Sequence, residues 1–511
     1  MEVSRIQNSQ RNLYISILSQ VITLILSFVS RTVFVKTLGM DYLGVNGLFT
    51  NIISVLSLAE LGVGTAIVYS MYKPLAEHDT KKLAALTQYY STLYKMIAII
   101  ILLVGIAIFP FLDIIINLDT SIPNVKYYYL LFLGEAVTSY LIIYKTSIIT
   151  ADQKGYIVTR NRMIANIIAS VLQILVLVSI KNYVIYLLIR ILIPLAGNYY
   201  SSRVASKLYP FIDSKETLSK EERKSIWNNI KSMFLYRVGG VILNNTDNIL
   251  ISTLINTTLV GKYSNYSMLI TRVTGFTSLI FSSVQASLGN LNVDANEEKK
   301  YKIFNILSLL SFWVYAFCSI CFCMLFQDFI AIWLGTDYQL SLDVVYIAVL
   351  NFYFEGVLYP IWCYRQTTGL FHETKYTMLI ASAINLILSI LLGKQMGLFG
   401  IFAATAISRL CTNLWFDPYV LFKKYFNASP KKYFIKQLLY ILTIIMLITI
   451  GQCLFCYLSI SNIYFRFIVK IGYCILVPNL FFSFMFFKTE EFRYILDHFI
   501  LPIFKSRKRR L

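Results

Sequence analysis

Ten ionisable residues interrupt stretches that are otherwise apolar: Arg31, Glu60, Glu135, Lys145, Arg190, Arg237, Asp247, Arg272, Glu355 and Arg409. A charge at the centre of a bilayer costs at least about 2.5–3.5 kcal/mol on insertion scales, so such groups are expected to face a watery cavity or one another. Lys145 and Arg237 fall near the expected cytoplasmic helix ends, where a long side chain reaches the interface, and read as anchors. Arg31, Glu60, Asp247, Arg272 and Glu355 sit deeper and read as cavity or coupling groups; the competing reading is an ion pair between helices. Glu135, Arg190 and Arg409 fit either. Guanidinium groups present paired donors to phosphate oxygens. Arg31 and Arg272 are therefore the leading cavity cations, with Arg190 and Arg409 behind them, and Asp247, Glu60, Glu135 and Glu355 are candidates for coupling or gating. An organic cation would prefer an acidic lining, so the central arginines favour an anionic cargo.

Other chemistries lack their residues. There is no Walker A sequence, no HExxH and no Ser/His/Asp set. The three His, at 78, 372 and 498, fall in expected loops or the tail. All eight Cys follow residue 317; Cys318, Cys321, Cys323, Cys453 and Cys456 have CxxC-like spacing but lie in apolar runs and read as packing thiols. No metal and no resident cofactor are expected, only a possible coupling ion, H+ or Na+.

The elements that must position these charges are membrane helices. The 511 residues are 57% hydrophobic and 14% charged, with mean hydropathy +0.65. About 14 segments approach the ~20 apolar residues that a spanning helix needs: 13–37, 44–71, 86–112, 126–150, 162–181, 183–204, 232–255, 262–289, 303–334, 341–364, 376–396, 398–422, 434–459 and 463–487. Helices are the expected spans, because backbone groups in hydrocarbon must be satisfied internally and these runs exceed barrel strands. The first span is too long for a signal-peptide core and reads as retained. Even-numbered connections carry the basic residues, among them Lys81, Lys82, Arg160, Arg203, Arg223, Lys299, Lys423 and Lys432; odd ones hold little beyond Lys181, Lys262 and Lys394. The charge rule then sets both termini in the cytoplasm of a multi-pass inner-membrane protein. The net charge of +20 points to anionic lipid headgroups, not to nucleic acid.

The expected organisation is a six-helix bundle over 1–205, a cytoplasmic linker helix over 206–231, a second six-helix bundle over 232–424, two extra helices over 425–487 and a basic amphipathic tail over 488–511. Ser219-Lys-Glu-Glu222 is a capping-box pattern. Arg31 to Leu38 followed by Tyr42-Leu-Gly44 matches Asp247 to Leu254 followed by Leu259-Val-Gly261. Span 1 thus corresponds to span 7 and span 2 to span 8, a parallel pseudo-symmetric repeat of the kind that encloses a site near the midplane. Arg31 and Asp247 hold equivalent places in it, and an opposite-charge pair there would shut one face. Tyr89, Tyr90, Tyr127 to Tyr129, Tyr199 and Tyr200 lie near span ends and read as an aromatic belt. No outer loop exceeds about 15 residues, which argues against a polymerase with an outer catalytic domain.

Ser30-Arg-Thr-Val-Phe-Val-Lys-Thr-Leu-Gly39, Tyr42-Leu-Gly-Val-Asn-Gly-Leu-Phe49, Leu56-Ser-Leu-Ala-Glu-Leu-Gly62 and Tyr72-Lys-Pro-Leu-Ala76 resemble the N-terminal signature of the Wzx-type flippases. These form the polysaccharide transporter branch of the multidrug/oligosaccharidyl-lipid/polysaccharide exporter superfamily. The resemblance is close over the first 80 or so residues and looser beyond. It implies translocation of a polyprenyl-diphosphate-linked oligosaccharide to the outer leaflet for O-antigen, capsule or exopolysaccharide assembly, with a cationic central cavity that Arg31 fits by position. The implied partners are that lipid-linked glycan, anionic lipids, and glycosyltransferases and a polymerase of the same pathway; no catalysis is implied. The alternatives are an organic-cation antiporter of the same fold, a flippase for the peptidoglycan precursor, and a polysaccharide polymerase.

Overall fold

The structure is a computed structural model that describes residues 5–60, 63–118, 122–214, 216–294, 297–368, 374 and 376–497. The chain is all-α, with no strand among the described residues. Nine stretches there are long and apolar enough to cross a membrane, so the expected count of 14 is not reached on that measure. The reason is visible in the helices. The second expected span is broken, those expected at 126–150, 232–255 and 262–289 are rich in Tyr, Asn, Ser and Thr, and those expected at 376–396 and 398–422 fall in the single stretch Thr377–Lys424.

Two compact units emerge, residues 1–265 and 266–511. The first contains α1 (Arg5–Leu38), α2 (Met40–Leu56), α3 (Val63–Ala76), α4 (Thr80–Ile108), α5 (Val125–Ile143), α6 (Tyr156–Ser179), α7 (Tyr183–Leu208), α8 (Lys220–Asn245), α9 (Asp247–Leu254) and the start of α10 (Thr257–Asp294). α6 packs on both α1 and α7, and α5 packs on both α4 and α7. Gly39 alone separates α1 from α2; its φ of 86° is one that glycine adopts without a Cβ penalty. Side chains close the helix starts: Asp79 accepts from the Lys82 amide and Asn182 from the Ile185 amide. The capping box forms as expected, with Ser219 and Glu222 each bonded to the other's backbone amide. The stretch before it is not free. Lys145 bridges Asp213 at 2.5 Å and Ser206 at 3.1 Å, Lys82 bridges Glu222 at 2.8 Å, and Ile212 and Leu218 are buried. These bonds strap the linker onto the start of α4 and the turn that follows α5.

The second unit is built around α11 (Glu297–Trp333), which packs against α12 (Leu342–Thr368), α15 (Lys431–Leu458), α16 (Ile463–Phe486) and α17 (Glu490–Ile495). α13 (Thr377–Cys411) reverses at Gly397, whose φ is 59°, and α14 (Asn413–Lys424) follows it. Asp328 on α11 takes Arg466 at 2.8 Å and Lys470 at 2.7 Å, so both cations of α16 share one carboxylate inside the unit. The aromatic-belt reading fails for three residues. Tyr90, Tyr128 and Tyr129 are buried, whereas Tyr127, Tyr199 and Tyr200 are exposed. The Tyr90 and Tyr129 hydroxyls bond within the bundle, to Tyr94 and to the Gly105 carbonyl.

Candidate functional site

The break in the second expected span carries a polar cluster of the first unit. α2 gives way to a 3-10 turn, Ser57–Glu60, before α3 begins at Val63. Glu60 therefore leaves a helical ladder that has already stopped. Its two carboxylate oxygens each take a phenol: the Tyr94 hydroxyl donates to Oε1 at 2.8 Å and the Tyr140 hydroxyl to Oε2 at 2.9 Å. The Tyr90 hydroxyl donates to that of Tyr94 at 2.7 Å. Tyr90 and Tyr94 are one turn apart on α4 and Tyr140 is on α5, so one carboxylate ties three elements together. All three tyrosines are buried and Glu60 is half-buried.

A second cluster shares α5 with the first. Arg190 of α7 donates to Asn46 Oδ1 and, at 3.3 Å, to Thr50 Oγ1, both on α2. Its Nε lies 3.7 Å from Glu135 of α5, with side-chain exposures of 26% and 32%. The guanidinium also sits 4.4 Å above the Phe132 ring, a cation–π contact. Glu135 and Tyr140 are five residues apart on α5, a rise of about 7.5 Å and a rotation of about 140° around the axis, so α5 carries the two clusters on different faces. Glu135 and Arg190 are brought together; Glu60 belongs to the tyrosine cluster.

The remaining candidates lie outside these two clusters. Arg31, half-buried on α1, donates through Nη1 to Ser264 Oγ at 2.8 Å. Asp247 opens α9 and is half-buried. In the second unit Arg272 of α10 and Glu355 of α12 are half-buried, and Arg409 of α13 is buried with Nη1 on the Asn351 carbonyl at 2.8 Å. Arg190 and Arg409 thus each reach the helix that carries Glu135 or Glu355, respectively. His372, His498, Arg507 to Arg510 and the side chain of Arg237 lie outside the described residues. Among the described residues no group of His, Cys, Asp and Glu is arranged to hold a metal ion.

Sequence reasoning missed several partners. Tyr94 and Tyr140 carried no signal beyond their spacing on amphipathic faces. Arg365 and Asp417, a dry pair at 3.4 Å with side-chain exposures of 4% and 1%, also went unmarked, as did Asp328. Asp328 and Asp417 do lie inside expected spans, so a charge within an apolar run was the available clue.

A family match accompanies this architecture: the description "polysaccharide biosynthesis protein" covers residues 9–286, more than half of the chain. The chain belongs to that family. No curated protein matches the sequence. Among solved structures, the lipid II flippase MurJ in an inward closed conformation is similar at TM-score 0.64 and 17% identity, covering 92% of this chain and 99% of that one. An inward-facing multidrug resistance MATE family transporter of the MOP superfamily has TM-score 0.58 and 15% identity, over 79% of this chain and 97% of that one. A mutant of the Vibrio cholerae MATE transporter VcmN has TM-score 0.54 and 13% identity, over 83% and 98%. These likenesses show that the chain shares the fold of those proteins.

Proposed function

We propose that this protein is a flippase that moves a polyprenyl-diphosphate-linked oligosaccharide from the cytoplasmic to the outer leaflet by alternating access, for surface polysaccharide assembly. The observation that carries the reading is the set of half-buried guanidinium groups on apolar helices, Arg31, Arg190 and Arg272, in a chain of the polysaccharide biosynthesis family. Arg31 and Arg272 dock the diphosphate. Arg190 is engaged by Asn46, Thr50 and Glu135, and Arg409 by the Asn351 carbonyl; these two hold helices in register. No covalent bond is made or broken. The protein resides in the inner membrane with both termini cytoplasmic, where the basic loops meet anionic lipid and the glycosyltransferases and polymerase of the pathway supply and consume the cargo.

Glu60 is the coupling group. Phenols donate to both of its oxygens, so a proton taken up there would compete with them. Protonation would loosen two charge-assisted hydrogen bonds that join α4 and α5 to the break after α2. The test is flux of a lipid-linked glycan into proteoliposomes under imposed pH or sodium gradients. Flux driven by the pH gradient alone is expected; flux that ignores both gradients would remove Glu60 from the mechanism.

A second cargo has a specific observation in its favour: likeness to the lipid II flippase extends over 92% of this chain. Rescue of a strain lacking lipid II flipping would favour that cargo over a pathway-specific glycan.

A further inference from the structure

The sequence repeat sets Tyr42-Leu43-Gly44 against Leu259-Val260-Gly261. Within the first unit α2 and the start of α10 meet at these two glycines, and the contact is reciprocal. A Cβ on Gly44 would stand 2.1 Å from the carbonyl oxygen of Thr257, four residues before Gly261. A Cβ on Gly261 would stand 2.5 Å from the carbonyl oxygen of Met40, four residues before Gly44, and 3.0 Å from the Gly44 amide nitrogen. The obstacles are backbone, so no side-chain rotation relieves them; a methyl group forces the helices apart. Gly47, one turn along α2, differs: its Cβ would meet only the side chain of Val260, at 3.2 Å.

Three polar contacts flank the crossing. Thr258 Oγ1 donates to Asp41 Oδ1 at 2.5 Å, Arg31 Nη1 to Ser264 Oγ at 2.8 Å, and the Asn265 amide faces Met40 Sδ at 3.8 Å. Small residues let helix backbones touch in a membrane, where no hydrophobic force drives association. A seam of backbone contacts and a few hydrogen bonds closes tightly and parts without repacking large side chains. Ser264 lies three residues past Gly261, about 4.5 Å along the helix, so the seam covers the place where Arg31 is held.

We propose that the Gly44–Gly261 crossing is the closed outer gate of the transport path, with the two repeat-related glycines as its sealing residues. The proposal rests on the flippase reading and on the loop charges, which assign these helix ends to the outside. Opening parts the crossing, breaks the Asp41–Thr258 and Arg31–Ser264 hydrogen bonds, and presents Arg31 to the outer face. A methyl on either glycine holds the gate ajar.

Two measurements test this. In the first, Ser264→Cys is labelled from outside with a membrane-impermeant maleimide, against the parent protein as the control for native cysteines, and scored on the monodisperse fraction. Gly44→Ala or Gly261→Ala raises the labelling rate about tenfold or more, whereas Gly47→Ala changes it by less than about twofold. Equal labelling in all three variants overturns the gate. In the second, Asp41→Cys with Thr258→Cys is oxidised to a disulfide, which needs neither glycine variant to fold. Glycan flux stops on oxidation and returns with reductant; continued flux through the cross-linked protein overturns the gate. If the reduced protein carries no lipid-linked glycan while Gly44→Ala still raises labelling, the cargo assignment fails and the gate stands.

Discussion

Replacing Glu60 by Gln tests the coupling assignment with little change of volume. The carboxamide cannot take up a proton, and its NH2 group meets a phenol donor that the carboxylate oxygen accepted at 2.8 or 2.9 Å. Tyr94→Phe and Tyr140→Phe each remove one of those donors. A hydrogen bond to a charged group contributes about 1.5–3 kcal/mol. Each single variant should therefore weaken the ionised, helix-tying state by a factor of about 10 to 150. Tyr94→Phe is the more severe, because it also deprives the Tyr90 hydroxyl of its acceptor at 2.7 Å. The assay is glycan flux in proteoliposomes with and without an imposed pH gradient. Glu60→Gln should abolish the gradient-driven component while exchange without a gradient persists, and the two Tyr variants should lower the driven component about tenfold or more. Driven flux in Glu60→Gln within about twofold of the parent protein would refute the assignment.

Other perturbations have equally definite outcomes. Arg365→Met leaves the Asp417 carboxyl buried without its counter-charge, and should lower stability by about 3–5 kcal/mol; Arg365→Met with Asp417→Leu should recover most of it, and a double variant no more stable than the single would contradict the pairing. Asp328→Asn removes the carboxylate shared by Arg466 and Lys470, and should increase proteolytic release or hydrogen exchange of α16 while α4 to α7 stay protected. For the linker, the Lys145 ammonium holds the Asp213 carboxyl below its ordinary value, and the Lys82 ammonium does the same for Glu222. A carboxyl lowered in the folded state stabilises above its unfolded pKa, and that contribution is lost as pH falls through the folded value. Amide protection over residues 209–222 should thus be level from neutral pH down to about 4 and fall below that; undiminished protection in stronger acid would show that the ion pairs do not hold the strap.

The sequence and the structure agree where a signal is local. Ser219 and Glu222 announce their capping box because both partners lie within one turn. The repeat was legible because Gly44 and Gly261 follow similar strings, although only coordinates show that the two glycines touch. The all-α fold follows from run length and hydropathy. What escaped depends on contacts between helices distant in sequence. Tyr90 and Tyr129 look like interfacial tyrosines when position along a span is the guide; the direction in which each faces puts them inside the bundle. Glu60 was marked as a buried charge, but its two phenols lie 34 and 80 residues away, and no spacing rule links them. Arg365 fell one residue beyond its expected span, so its dry partner Asp417 had no visible counter-charge.

The measurement that bears most directly on the central claim is leaflet transfer of a labelled polyprenyl-diphosphate oligosaccharide by the purified protein. Proteoliposomes made with the glycan on both faces are treated with an impermeant glycosidase, and the protected fraction is followed over time. The account predicts that wild-type protein exposes the protected glycan, that Arg31→Ala with Arg272→Ala does not, and that neither protein moves an organic cation. A protected fraction that stays constant with wild-type protein, or falls equally fast with the double variant, would contradict it.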